Sequence, residues 1–145
     1  MQTLQKILSN SIKNNKNKKA IWVNNKYYTY KKLKELSENY KKIFSNINSK
    51  SVCILSEKTI YCYASILATV LDGRVYVPLN PKFPVEKNKQ IFNFSESKIL
   101  LVESKFINQA RLIVGKKNKK NFFIIILDKK IKSNNLETKP FKTAK

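Results

Sequence analysis

Thr69-Val-Leu-Asp-Gly-Arg-Val-Tyr-Val-Pro-Leu-Asn-Pro-Lys-Phe-Pro84 combines a helix end, a turn, a strand and a proline-locked loop. Upstream of the turn, Ile60, Ala64, Leu67, Ala68 and Leu71 recur at the spacing of one helical face. Asp72-Gly73 supplies a residue that takes positive φ without strain, so the helix stops there. Val75-Tyr76-Val77 is β-branched and aromatic, as a strand requires. Pro78, Pro81 and Pro84 remove three backbone donors, which predicts that the chain leaves the sheet as an extended loop, with Pro84 in the first turn of a further helix. A helix, a tight return and a buried strand in this order belong to an α/β crossover.

The same alternation extends on both sides. Before the helix, Ser51-Val-Cys-Ile-Leu55 is a short apolar run of the kind buried on both faces of a parallel sheet. Before that run, Leu33, Leu36, Tyr40, Ile43, Phe44 and Ile47 form a helical stripe that begins after Thr29, an N-cap type, with Tyr28 and Leu33 placed as a hydrophobic staple. Lys32 stands where a capping box needs an acid, which predicts a frayed first turn. Ala20–Val23 and Lys26–Thr29 flank Asn24-Asn25 and read as a β-hairpin. Leu4, Ile7, Leu8 and Ile12 predict a short amphipathic helix at the start. Downstream, Val85, Ile91, Phe92 and Phe94 give a less regular helix, Lys98–Val102 a strand, and Phe106, Ile107, Ala110, Leu112 and Ile113 a helix capped by Ser104 and closed by Gly115. Phe122–Leu127 is the most strand-like segment. The fold class is therefore α/β, a mostly parallel sheet of about four strands flanked by helices and preceded by a helix and a β-hairpin. Residues 1–128 form the domain, and 129–145 an irregular lysine-rich tail.

Composition bounds the chemistry. With 145 residues and 42% hydrophobic content there is one packed domain or one lobe of something larger. No apolar run approaches the ~20 residues of a membrane-spanning helix, and no early stretch reads as an export signal, so a cytoplasmic protein is expected. Cys53 falls in a predicted strand and Cys62 in a predicted helix; with no histidine they make no recognisable zinc set and are read as buried free thiols. The net charge of +21 suggests nucleic acid, but only Arg74 and Arg111 are arginine. Lysine, asparagine and isoleucine rise together as A+T-rich codons would make them, and no nucleic-acid-binding motif accompanies the charge. Weak, salt-sensitive binding of any nucleic acid is the expectation. Asp72 and Asp128 are isolated and read as solvated turn residues.

Two segments carry a resemblance. Thr29-Tyr-Lys-Lys-Leu33 after a hairpin, and Val70-Leu-Asp-Gly-Arg-Val-Tyr-Val-Pro-Leu-Asn-Pro81, resemble the first two core motifs of the adenylate-forming, AMP-binding superfamily. Phe83-Pro84 and Ser95–Leu101 resemble the downstream pattern of its amino-acid-activating members, those of nonribosomal peptide synthetases and D-alanine-carrier protein ligases. Lys32, Asp72 and Asn80 depart from the usual glutamate, alanine and aspartate of those motifs. The resemblance covers Leu4 to Asp128 and implies the N-terminal lobe of an enzyme that joins a carboxylate to AMP with ATP and Mg and passes it to a carrier thiol.

In that family the Ser/Thr/Gly-rich phosphate loop, the ribose-binding aspartate and the late catalytic lysine lie downstream of these motifs. The strand Phe123–Asp128 resembles the one that leads into the phosphate loop, but no Gly-rich segment follows it here. The chain has only Gly73 and Gly115, so it is expected to bind neither ATP nor metal alone and to carry no catalytic residue of its own. Its expected partners are the downstream lobe and a carrier protein. A shortened, non-catalytic interaction module with a basic surface, or the product of a broken gene, stay open as alternatives.

Overall fold

Strand β3 (Ser51–Leu55) has every residue buried, and the rest of the fold is arranged about it. In the computed structural model, which describes residues 1–115 and 122–129, β3 pairs in parallel with β4 (Val75–Leu79) on one side and β5 (Ile99–Val102) on the other. Strand β6 (Phe123–Ile126) joins β5, also parallel, so the order is β4-β3-β5-β6. Helix α1 (Leu4–Asn15) and the antiparallel hairpin β1 (Lys19–Val23) and β2 (Lys26–Thr29) precede this sheet. The expected tail lies, apart from Lys129, outside the described residues.

The two faces of the sheet have separate cores. Val52, Ile54, Ile99, Leu101 and Ile125 point to one face, where α2 (Tyr30–Phe44) and α3 (Ile60–Leu71) cover them with Tyr40, Phe44, Ala64 and Ala68. Cys53, Leu55, Leu100 and Val102 point to the other, under α4 (Val85–Phe94) and α5 (Ile107–Val114) with Phe92, Ala110 and Ile113. Side chains alternate along a strand, so a strand whose residues are all apolar must be covered twice. No helix among the described residues is long and apolar enough to cross a membrane.

The turns follow local chemistry. Asn24 and Asn25 take φ of 51° and 58° at the hairpin, and Gly73 takes 72° after α3, against Gln5 of α1. Arg74 follows at once and joins α2 to the sheet. Its Nε donates to Asp72 at 2.6 Å, Nη1 to the carbonyls of Ile47 and Ser49, and Nη2 to those of Phe44 and Ser45. These include carbonyls at the end of α2 that have no partner within the helix.

Several expectations are corrected. The first turn of α2 is held, not frayed. Thr29 Oγ1 accepts from Lys32 N–H at 3.2 Å, and the N–H groups of Tyr30 and Lys31 reach the carbonyls of Lys18 and Lys16 in the segment before β1. That segment supplies the acceptors that a missing capping-box glutamate would not have. Strand β4 runs on through Pro78 to Leu79 because it is an edge strand, where a missing donor is tolerated. Pro84 occupies the cap of α4 rather than its first turn, with φ −52° and ψ 143°. Phe94 and Leu112, read as parts of apolar stripes, are exposed, as are Leu4 and Ile7 of α1. Ser104 does not cap α5; a 3-10 turn, Ser104–Phe106, precedes that helix and the Ser104 hydroxyl is used elsewhere.

Candidate functional site

Open parallel sheets bind ligands outside the carboxyl ends of their strands, at the point where the strand order reverses. Here α3 carries the chain from β3 outward to β4, α4 returns it past β3 to β5, and α5 leads on to β6. The reversal lies between β3 and β5. The residues that follow those strands therefore define the candidate site: Ser56 and Glu57 after β3, Glu103 and Ser104 after β5, and Asp128 beyond β6.

These residues are bonded to one another. Ser56 Oγ donates to Glu103 Oε1 at 2.5 Å and Glu57 N–H to the same oxygen at 2.9 Å, so the buried Glu103 carboxylate ties the exits of the two central strands together. Lys105 forms an ion pair with Glu57, and that bond raises the lysine pKa above its ordinary value. Both side chains are half exposed, so the pair adds little stability.

Asp128 does the corresponding work at the outer strand. Its Oδ1 accepts from Ser104 N–H at 2.8 Å and its Oδ2 from Ser104 Oγ at 2.6 Å. The carboxylate at the end of β6 thus caps the turn that leads into α5. Burial pushes the Asp128 carboxyl up, but the Ser104 bonds, with help from Lys129, outweigh it and hold the pKa below the usual range. The sign follows. A depressed pKa in the fold contributes stability above the unfolded carboxyl's range, and that stability is lost as pH falls through the folded value. Asp128→Ala is expected to cost about 1 kcal/mol at neutral pH, the worth of a helix cap, and less once the carboxyl is protonated in both states. Urea unfolding at neutral pH and in acid measures the difference; equal costs at both would refute a contribution from the carboxylate charge, and no cost at neutral pH would refute the cap.

Beside Asp128 a cleft of about 510 Å³ opens between the hairpin, α2 and the start of α3, lined by Lys26, Tyr28, Tyr40, Tyr61 and Lys129 among others. At its floor Tyr40 donates to the carbonyl of Leu127 at 2.8 Å, joining α2 to the end of β6 across 87 residues. Burial, and to a lesser degree Tyr61, Asp128 and Glu103, push the Tyr40 hydroxyl well above its ordinary pKa, so it stays a donor.

Asp72 and Asp128 are not merely solvated turn residues: one is paired to Arg74 and the other to Ser104. Cys53 and Cys62 are free thiols, Cys53 buried as expected and Cys62 only half-buried, and burial raises both pKa values, so neither is poised as a nucleophile. The described residues contain no group of three or more His, Cys, Asp and Glu that would hold a metal. Gly73 and Gly115 close two different helices and do not form the run of small residues whose amides cradle a triphosphate. What the described residues provide at this end of the sheet is a floor of hydrogen-bonded carboxylates and hydroxyls. Sequence reading passed over Glu103 because its partners lie 46 and 47 residues away. The signal present was a polar pair directly after each buried run, Ser56-Glu57 and Glu103-Ser104.

The profile of the family described as AMP-binding enzyme matches residues 8–144. Tyrocidine synthase 3 of Brevibacillus parabrevis is 26% identical over 112 residues, 75% of this chain and 2% of that protein. Gramicidin S synthase 1 of Brevibacillus brevis is 26% identical over 110 residues, 74% of this chain and 10% of its own length. The chain therefore spans a tenth or less of these two curated relatives. Among solved structures, the Vibrio cholerae adenylation domain AlmE, in complex with glycyl-adenosine-5'-phosphate, superposes with a TM-score of 0.72 at 20% identity over 86% of this chain and 24% of its own.

Proposed function

Because the chain belongs to the AMP-binding enzyme family, we propose that it is the N-terminal lobe of a cytoplasmic, ATP-dependent enzyme that activates an amino acid as its adenylate. The family match across residues 8–144 carries this reading. The choice of an amino acid over other carboxylates rests on the peptide synthases among its relatives and on the glycyl adenylate held by AlmE. In the whole enzyme ATP and Mg supply the activated phosphorus and its charge neutralisation. This lobe holds the carboxyl ends of β3, β5 and β6 at fixed spacing through Ser56, Glu103, Ser104 and Asp128. The further lobe that binds the nucleotide, and a carrier that receives the acyl group, are its partners.

Residues 1–145 on their own are expected to give no amino-acid-dependent exchange of pyrophosphate into ATP. A hybrid in which residues 4–128 replace the matching segment of a related amino-acid adenylation domain is expected to retain exchange. Exchange by the chain alone above a protein-free blank would refute the scaffold role. A folded hybrid with no exchange would show that this lobe does not substitute for the family's own.

A further inference from the structure

At the end of the sheet opposite the switch point, an apolar groove runs past the amino ends of β3, β4 and β5. It is about 550 Å³ in volume, has Val75, Val77, Ile91 and Phe94 on its walls, and carries Lys50 and Lys98 on its rim. A second hollow of about 600 Å³ shares Asn48, Ser49, Lys50 and Val75 with it and extends it toward Ile47 and Gly73. Phe94 is 93% exposed although Phe92 and Ile91 of the same helix pack in the core, and Val75 is 65% exposed although it shares a face of β4 with the packed Val77 and Leu79. A nearly bare phenylalanine beside an exposed valine, rimmed by charge, is how a surface made for a partner differs from scattered apolar residues.

We propose that this groove docks an acidic polypeptide segment that inserts an aromatic or branched apolar side chain beside Phe94. Charge selects the partner. Lys50 and Lys98 enter no ion pair among the described residues and only Glu96 opposes them on the rim, while the chain as a whole carries +21. A second copy would bring equal positive charge to the same place, and an acidic segment brings attraction. Backbone geometry selects the mode. Val75 N–H donates to Lys50 O, so alternation turns the backbone of Tyr76 and Pro78 to the open edge. Proline has no donor, so Tyr76 N–H is the one outward donor of β4 beside the carbonyls of Tyr76 and Pro78, too few for a regular ladder with an added strand. The segment is therefore held by side-chain insertion, not by extending the sheet. The groove lies at the amino ends of the strands and the switch point at their carboxyl ends, so docking leaves the candidate site open.

The test uses the full chain at low salt and three fluorescent peptides of equal length: one alternating glutamate with leucine and phenylalanine, one with serine in place of the apolar residues, and one with lysine in place of glutamate. Anisotropy is expected to show binding of the first only. Phe94→Ser, at a position too exposed to affect folding, is expected to weaken it at least tenfold, as loss of a central anchor does. The pair Lys50→Glu and Lys98→Glu is expected to weaken it as well and to admit the lysine peptide. Amide shifts are expected to map to Val75, Phe94 and Lys98. The proposal is overturned if the serine peptide binds as well as the first, since bulk charge then explains the effect. It is also overturned if Phe94→Ser binds like the wild type, or if the chain is a dimer that Phe94→Ser dissociates, which would make a second copy the occupant.

Discussion

Replacing Arg74 with lysine, the residue that provides nearly every other cation in the chain, is expected to destabilise the lobe by about 2–3 kcal/mol, and replacing it with alanine by about 3–5 kcal/mol. The guanidinium donates to the Asp72 carboxylate and to four carbonyls, those of Phe44, Ser45, Ile47 and Ser49, and lies over the Phe44 ring. Both charged side chains are largely buried, at 11% and 14% exposure, so solvent screens the pair little. An ammonium on a flexible stem has three donors and no planar fork, so lysine satisfies part of this set and leaves some of the four carbonyls without the donor that Arg74 supplies. Alanine also strands the Asp72 charge. Equilibrium unfolding in urea, read as a shift in midpoint at constant slope, measures both. A lysine variant within about 0.5 kcal/mol of the wild type, the range of ordinary surface changes, would show that the fork geometry is not what holds α2 to the sheet.

The chain as a separate polypeptide is expected to be monomeric at low salt and to self-associate as salt rises. Phe123 N–H donates to Lys98 O and Leu127 N–H to Val102 O, so alternation turns the backbone of Ile124 and Ile126 away from β5. Among the described residues no strand lies on that side. An unpaired edge with partly exposed apolar side chains recruits other chains. The charge of +21 opposes that contact, and raising salt from about 0.01 M to about 1 M shortens the Debye length from about 30 Å to about 3 Å. Sedimentation velocity across that range is expected to show the change, and Ile124→Pro, which removes an outward donor from the edge, to abolish it. Supplying the remaining lobe of a related enzyme in trans is expected to suppress association too. A monomer that unfolds cooperatively at every salt concentration would mean that the edge is covered within the chain itself.

The periodic segments were legible because each is a local pattern. The alternation of apolar runs and stripes from Leu33 to Ile126 gave the α/β class and the four parallel strands, Asn24-Asn25 and Gly73 gave the turns, and Thr29 and Val70–Pro81 carried the family resemblance. Errors arose where a distant group decided the outcome. Lys32 suggested a loose helix start, but the carbonyls of Lys16 and Lys18 arrive from before the hairpin. Ser104 has the chemistry of a cap, yet an acceptor from beyond β6 engages it first. Pro78 marks a strand end only if the strand is central, and edge position is a property of the sheet order. Phe94 fits a stripe by spacing, but no element lies over it among the described residues.

The sequence by itself determined which segments become helix and strand, because periodicity and capping are read over a few residues, and it determined the family. Only the tertiary structure decided the strand order, and with it the switch point between β3 and β5, the two edges and the bond from Ser56 to Glu103. Those depend on segments far apart in the chain, such as Ser51 with Val75 and Cys53 with Leu100, where the energy comes from burying both faces of one strand at once and local preference carries no information.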